Sequence, residues 1–158
     1  MDFIFNSKKD SYTKHFITIL TGKRVKYFGE IVNQEMKHSS IGLIAKDLWE
    51  TINFNRDDLE KDVFVIMPDH IHAVVWLKFD ASDKDEHPQK MFKGEQFKLN
   101  RLDVIVKSYK AAVTKLVNLS GESMKWHRGY YHRVITSWME YENTKKYISN
   151  NPKNYKHR

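Results

Sequence analysis

Two short constellations could do chemistry. The first is His70-Ile71-His72, directly after Met67-Pro68-Asp69. In a strand, residues two apart project from one face, so the imidazoles would stand side by side as a ready pair of metal ligands. A bare His-x-His is more often two half-exposed histidines on a sheet. Here the apolar runs on either side set the pair in the centre of a sheet, where two imidazoles need partners or a ligand. The second constellation is Tyr147 with Asn151, one helical turn apart and hence on one face. A tyrosine can be a covalent nucleophile, and a metal can activate it or the phosphate it attacks. An asparagine one turn away can add an oxygen ligand. The plainer alternative is a tyrosine packed between helix and sheet, with an asparagine ending the helix before Pro152.

The surrounding elements follow from periodicity. Residues 15–21 alternate and are β-branched, which predicts a strand, and 29–36 reads as a short second strand after a turn. Ile41, Ile44, Ala45, Leu48, Trp49 and Ile52 fall at helical spacing, with Ser39 or Ser40 as N-cap. The apolar run 63–67 predicts a strand buried on both faces, and 71–77 a further strand beyond Pro68-Asp69. The polar stretch 80–98 reads as an exposed loop. Leu102, Ile105, Tyr109, Ala112, Val113 and Leu116 stripe a second helix, with Lys107, Lys110 and Lys115 off the stripe and Gly121 ending it. A last strand is expected over 130–135. A capping box, Ser137 with Glu140, then opens a third helix that stops at Asn150-Asn151-Pro152. The order predicts one α+β domain over 1–158: an antiparallel sheet with helices packed on one side.

Composition narrows the class. In 158 residues, 41% are hydrophobic and 13% aromatic, which excludes disorder and supplies a core. The absence of cysteine excludes disulfide scaffolds and thiolate chemistry and fits a reducing, cytoplasmic setting. No apolar run is long enough for a membrane span, and no secretory signal is expected from the first residues. Residues 101–158 hold 12 basic against 4 acidic side chains, whereas the first hundred hold 15 against 16. The net charge of +7 therefore resides in the C-terminal third. That is what a polyanionic partner requires, although a solvated surface needs no partner at all.

Three blocks in order bear a family resemblance. Val65-Ile66-Met67-Pro68-Asp69-His70-Ile71-His72 resembles the His-hydrophobic-His motif of the HUH single-tyrosine transposases. Tyr147-Ile148-Ser149-Asn150-Asn151-Pro152 is similar to the Tyr-Ile-x-x-Asn-Pro signature of one branch, the REP-associated tyrosine transposases. Between them, Trp126-His127-Arg128-Gly129-Tyr130-Tyr131-His132-Arg133-Val134-Ile135 is similar to that branch's Trp-x-Arg-x-Tyr-Tyr-x-x-x-Ile block. The resemblance runs from about residue 14 to the end of the sequence.

The resemblance implies a ferredoxin-like antiparallel sheet and a site in which His70 and His72 hold Mg²⁺ or Mn²⁺, Asn151 completes the metal site and Tyr147 is the nucleophile. It implies attack on single-stranded DNA, a 5′-phosphotyrosine intermediate, and hairpin-shaped DNA as substrate. A phenol is protonated at neutral pH, so a cation or base must assist; Lys145, Lys146 and the metal are candidates. Lys107, Lys110, Lys115, Arg128 and Arg133 would track phosphates, and Trp126, Tyr130 and Tyr131 would stack on bases. His132 departs from the pattern, where an acidic residue is common, and adds a candidate metal or phosphate contact. Family members are monomers or homodimers. The competing readings are an inactive hairpin-DNA binder on the same fold, and a metal hydrolase that uses the histidines without a tyrosine adduct.

Overall fold

The structure, a computed structural model, describes residues 12–54, 56–78 and 95–156, with side chains described from Arg101 onward in the last stretch. Strand β1, Tyr12–Leu20, shows strict alternation, burying Thr13, His15, Ile17 and Ile19. It lies between β5 (His70–Lys78) and β6 (Tyr131–Ile135), antiparallel to both, and β4 (Leu59–Met67) completes a sheet of order β4-β5-β1-β6. A separate hairpin pairs β2 (Gly29–Val32) with β3 (Glu35–His38).

Ile17, Ile19, Ile71, Ala73, Val75 and Leu77 form one face of the sheet and the larger core. Helices α1 (Ser40–Thr51) and α2 (Glu95–Leu119) cover that face, giving the expected α+β architecture of an antiparallel sheet with helices packed on one side. Trp49 of α1 meets Tyr109 of α2 edge-on, ring centroids 5.1 Å apart. Burying each such ring removes enough apolar surface to contribute on the order of 2 kcal/mol. Ser39 caps α1 by accepting from the Gly42 amide at 3.0 Å.

The last helix, α3 (Trp138–Ser149), belongs to the reverse face. Ser137 accepts from the Glu140 amide at 3.0 Å, so the capping box forms as read. Tyr141 and Ile148 pack with Val74, Trp76 and Ile135 in a second apolar cluster. The carboxylate of Asp62 ties it down, accepting from Trp76 Nε1 at 2.9 Å and from the Tyr141 hydroxyl.

Several expectations need correction. The strand read over 29–36 is the β2–β3 hairpin, turning at Asn33 and Gln34, both at positive φ (52° and 65°). The run 63–67 is not buried on both faces: β4 is an edge strand, and Val63, Phe64 and Val65 are half-buried. Of the loop expected over 80–98, residues 80–94 lie outside the described residues, and 95–98 belong to α2. Leu116 is exposed, and Val106 and Val117 fill the stripe instead. Among the described residues no helix is long and apolar enough to cross a membrane.

Candidate functional site

The site begins with a turn. Pro68-Asp69 alone connects β4 to β5, with Met67 paired to His70. His70 and His72 then project from the α3 face, as alternation requires, with ring centroids 4.6 Å apart. Each ring is held through Nδ1: His70 donates to Asp69 Oδ1 at 2.7 Å, and His72 lies 2.9 Å from Thr18 Oγ1. No described residue hydrogen-bonds to either Nε2. Burial, then the neighbouring charges of His70 and Arg24, push His72 down to about 3, so it is neutral at physiological pH, as a metal ligand must be. Burial pushes the Asp69 carboxyl up, but hydrogen bonds from His70 and Arg24 outweigh it and hold the group at about 2.

Imidazoles fixed at Nδ1 by an oxygen partner, with Nε2 left free, are the usual arrangement of metal-binding histidine. The donor set therefore fits a divalent ion. Among the described residues no three His, Asp or Glu side chains converge on a candidate metal position. An ion here would need a donor of another kind beside the two histidines.

Helix α3 supplies the rest. The Tyr147 ring lies 5.4 Å from His72 and edge-on to Phe16 at 6.3 Å. Tyr147 is 52% exposed, so the ring is braced by the sheet while its outer part reaches solvent. One turn on, Asn151 is buried and donates through Nδ2 to the Tyr147 carbonyl at 3.3 Å, which leaves Oδ1 available. A cleft of about 560 Å³ is lined by His70, Asp69, Tyr147 and Asn151, and also by Arg24, Lys26, Asn154, Tyr155 and Lys156. A neighbouring cleft of about 670 Å³ lies along Tyr147, Thr144, Asn143, Glu140, Arg133 and Phe16. Of the residues read as chemical from sequence, His70, Tyr147 and Asn151 thus share one cleft; His72 does not line it but packs against the Tyr147 ring.

The residues expected to contact DNA divide into two groups. Lys107, Lys115, Arg128 and Tyr131 are exposed, and Arg133 lies over the Phe16 ring at 5.1 Å with Glu140 at 3.3 Å. Lys110, expected to face solvent, is half-buried and donates to the carbonyls of His127 (2.9 Å) and Gly129 (2.6 Å). Trp126 packs against Phe28 and Tyr109 and donates to the Lys110 carbonyl at 3.2 Å, so its ring is structural. Tyr130 packs against the main core, and burial raises its hydroxyl pKa. Of the lysines suggested to assist the phenol, Lys145 lies over the Tyr141 ring at 5.1 Å and Lys146 is exposed. His132 is no part of the site: it is on the opposite face, its Nε2 2.9 Å from His15 Nδ1.

Sequence reasoning missed Arg24, Lys26, Asn154 and Lys156 in the cleft, and Phe16 and Thr18 beneath the histidines; Tyr155, with Tyr141 an alternative nucleophile to Tyr147, does line it. The one available signal was the basic run Lys23-Arg24-Val25-Lys26 just past Gly22, a turn residue.

No family model matches the sequence. An uncharacterised protein of Haemophilus influenzae is 30% identical over 155 residues, covering 94% of this chain and 83% of that protein. The chain belongs to that protein's family. Among solved structures, a REP-associated tyrosine transposase bound to a REP hairpin overlaps with a TM-score of 0.54 at 15% identity, over 90% of this chain and 67% of the other. At that identity the likeness establishes a shared fold. A Deinococcus radiodurans crystal structure, of a candidate transposase, overlaps at a TM-score of 0.41 and 16% identity, over 88% of this chain and 90% of the other.

Proposed function

We propose that this chain is a single-strand DNA nickase and strand transferase of the REP-associated kind, working through a 5′-phosphotyrosine on Tyr147. The observation that carries the reading is the convergence of His70, Tyr147 and Asn151, from a hairpin and a distant helix, on one cation-lined cleft, with His72 against the Tyr147 ring. A fold shared with a transposase whose structure holds a REP hairpin supports a hairpin as the substrate.

The chemistry is an in-line exchange of esters. The Tyr147 oxygen bonds to phosphorus, the P–O3′ bond breaks, and the phenol's proton ends on the released 3′-hydroxyl. The new ester conserves the bond energy, so a 3′-hydroxyl can attack it and rejoin DNA without a nucleotide cofactor. His70 and His72, with Asn151, would hold Mg²⁺ or Mn²⁺. Such an ion supplies Lewis-acid polarisation of a phosphoryl oxygen. Asp69 and Thr18 fix the imidazole planes, and Phe16 and His72 fix the tyrosine ring, so the reacting groups are oriented before substrate arrives.

The test is a denaturing gel of the protein with labelled hairpin oligonucleotides from repeats flanking its own gene and Mn²⁺, beside Tyr147→Phe. A slow-migrating adduct is expected with the wild type alone, while Tyr147→Phe binds the hairpin within a few-fold of it. A native-gel shift without any adduct would make the chain an inactive hairpin binder. Neither adduct nor shift would remove DNA as the substrate.

A further inference from the structure

We propose that Arg24 grips the scissile phosphate beside Tyr147. The inference rests on the nickase reading and extends it to a residue outside every motif of the sequence.

The first observation is how the guanidinium is held. Arg24 Nε donates to Asp69 Oδ2 at 3.0 Å, and Asp69 Oδ1 in turn accepts from His70. Arg24 is thereby fixed to the carboxylate that orients the first histidine. Its side chain is 54% exposed and lines the cleft shared by His70, Tyr147 and Asn151. Among the described residues its two terminal amino groups have no hydrogen-bond partner. A planar fork with one donor anchored and the others free suits a phosphate's paired oxygens.

The second observation is the backbone. Lys23 and Arg24 both adopt left-handed conformations, φ 54° and 55°, in a turn closed by Val25 N donating to the Gly22 carbonyl at 3.1 Å. Asparagine and glycine adopt such turns at little cost, and side chains as large as lysine and arginine do not. The turn is pressed against the histidine hairpin, since Thr21 N donates to the Asp69 carbonyl at 3.0 Å, and the Thr21 hydroxyl lies between that carbonyl (3.0 Å) and the carbonyl of Val25 (2.7 Å). Gln34 carries similar strain in a plain hairpin turn, so strain alone assigns no role; at Arg24 it coincides with a guanidinium fixed in the cleft, where such strain is often part of a site.

The third is charge. Asp69 divides its two oxygens between Arg24 and His70, and Lys26 and Lys156 line the same cleft, so the wall beside Tyr147 is cationic. As Tyr147 attacks, charge builds on the non-bridging phosphoryl oxygens. A pre-anchored guanidinium stabilises that charge without reorganising.

The experiment separates this role from mere bracing of Asp69. Wild-type adducts locate the scissile phosphate, and hairpins are then made with a native phosphate or a neutral methylphosphonate there. Arg24→Gln is expected to weaken binding of the native hairpin about tenfold, the scale of one charge-assisted contact, and to leave methylphosphonate binding within about twofold. Equal losses on both DNAs, or no loss on either, would overturn the assignment. The double variant Lys23→Asn/Arg24→Gly relaxes the turn and guards against misfolding. It is expected to melt no lower than wild type yet bind native DNA as weakly as Arg24→Gln; wild-type binding by this variant would also overturn the proposal. If the wild type forms adducts and Arg24 proves indifferent, the nickase reading stands and only this inference falls. If the wild type forms none, both fall.

Discussion

Asp69 does more for the site than its neighbours, and its carboxylate has measurable consequences. Its two oxygens hold Arg24 and His70, and its carbonyl holds Thr21. The side chain is only 11% exposed, so these bonds are poorly screened. Its folded pKa of about 2 is below the ordinary 3.8. A carboxyl depressed by folding adds stability that is fully present above the unfolded pKa and lost as pH falls through the folded one. The window is therefore about pH 4 down to 2, and the contribution on the order of 2 kcal/mol. Asp69→Asn is expected to be less stable than wild type by about that amount at pH 6 in urea unfolding. The difference should shrink steadily toward pH 2; a constant gap would mean the bonds do not depend on the charge. Residue types made His70, His72 and Tyr147 stand out in advance as candidates, because few side chains can bind a metal or attack a phosphate. Arg24 was not legible, since the partner that gives it meaning is 45 positions away and joins it only in the fold. His132 was misread for a related reason. Strand register, which puts it opposite Ile17 and away from Thr18, decides its face, and residue type does not.

At the level of elements, the site depends on a helix held by one half-buried carboxylate. Tyr147 is useful only if α3 lies across the sheet, and Asp62 is what Tyr141 and Trp76 both bond. Removing an acceptor from two part-buried donors costs about 1–3 kcal/mol per orphaned group. Asp62→Ala is thus expected to lower stability by roughly 2–6 kcal/mol and to suppress adduct formation more than hairpin binding, since Tyr147, the proposed nucleophile, is displaced while the cationic surface remains. Equal loss of both activities would point to general unfolding. Capping signals were readable here: Ser39 and Ser137 both cap where expected. The β2–β3 hairpin was not, because Asn33-Gln34 lacks the glycine that usually marks a left-handed pair. Gln34→Gly would supply it, and is expected to raise stability by about 1 kcal/mol with no change in DNA binding, read from the urea midpoint.

For the molecule as a whole, the sheet divides the charge into two populations that the sequence could not separate. A count over residues 101–158 merges Lys107 and Lys115, on α2, with Lys156, in the Tyr147 cleft. Helix α2 covers the sheet face opposite His70 and His72, so a single strand lying in the cleft is out of reach of its lysines. Lys26, from the N-terminal half that carries no net positive charge, lines the cleft with Lys156. Each neutralised phosphate contributes a slope of about −0.7 to −0.9 to the dependence of log affinity on log salt, the smaller value for single strands. For a short unpaired oligonucleotide spanning the cleavage position, Lys26→Gln/Lys156→Gln is expected to flatten that slope by roughly 1 to 1.5. Lys107→Gln/Lys115→Gln should leave it unchanged, and can alter it only for DNA with a duplex stem large enough to reach around the sheet. Titrations at several salt concentrations, with matched single-strand and hairpin probes, check both variants together. A single-strand slope that responds to the α2 pair and ignores the cleft pair would put the DNA on the other face of the sheet, away from Tyr147, and remove the physical basis for the attack proposed for it.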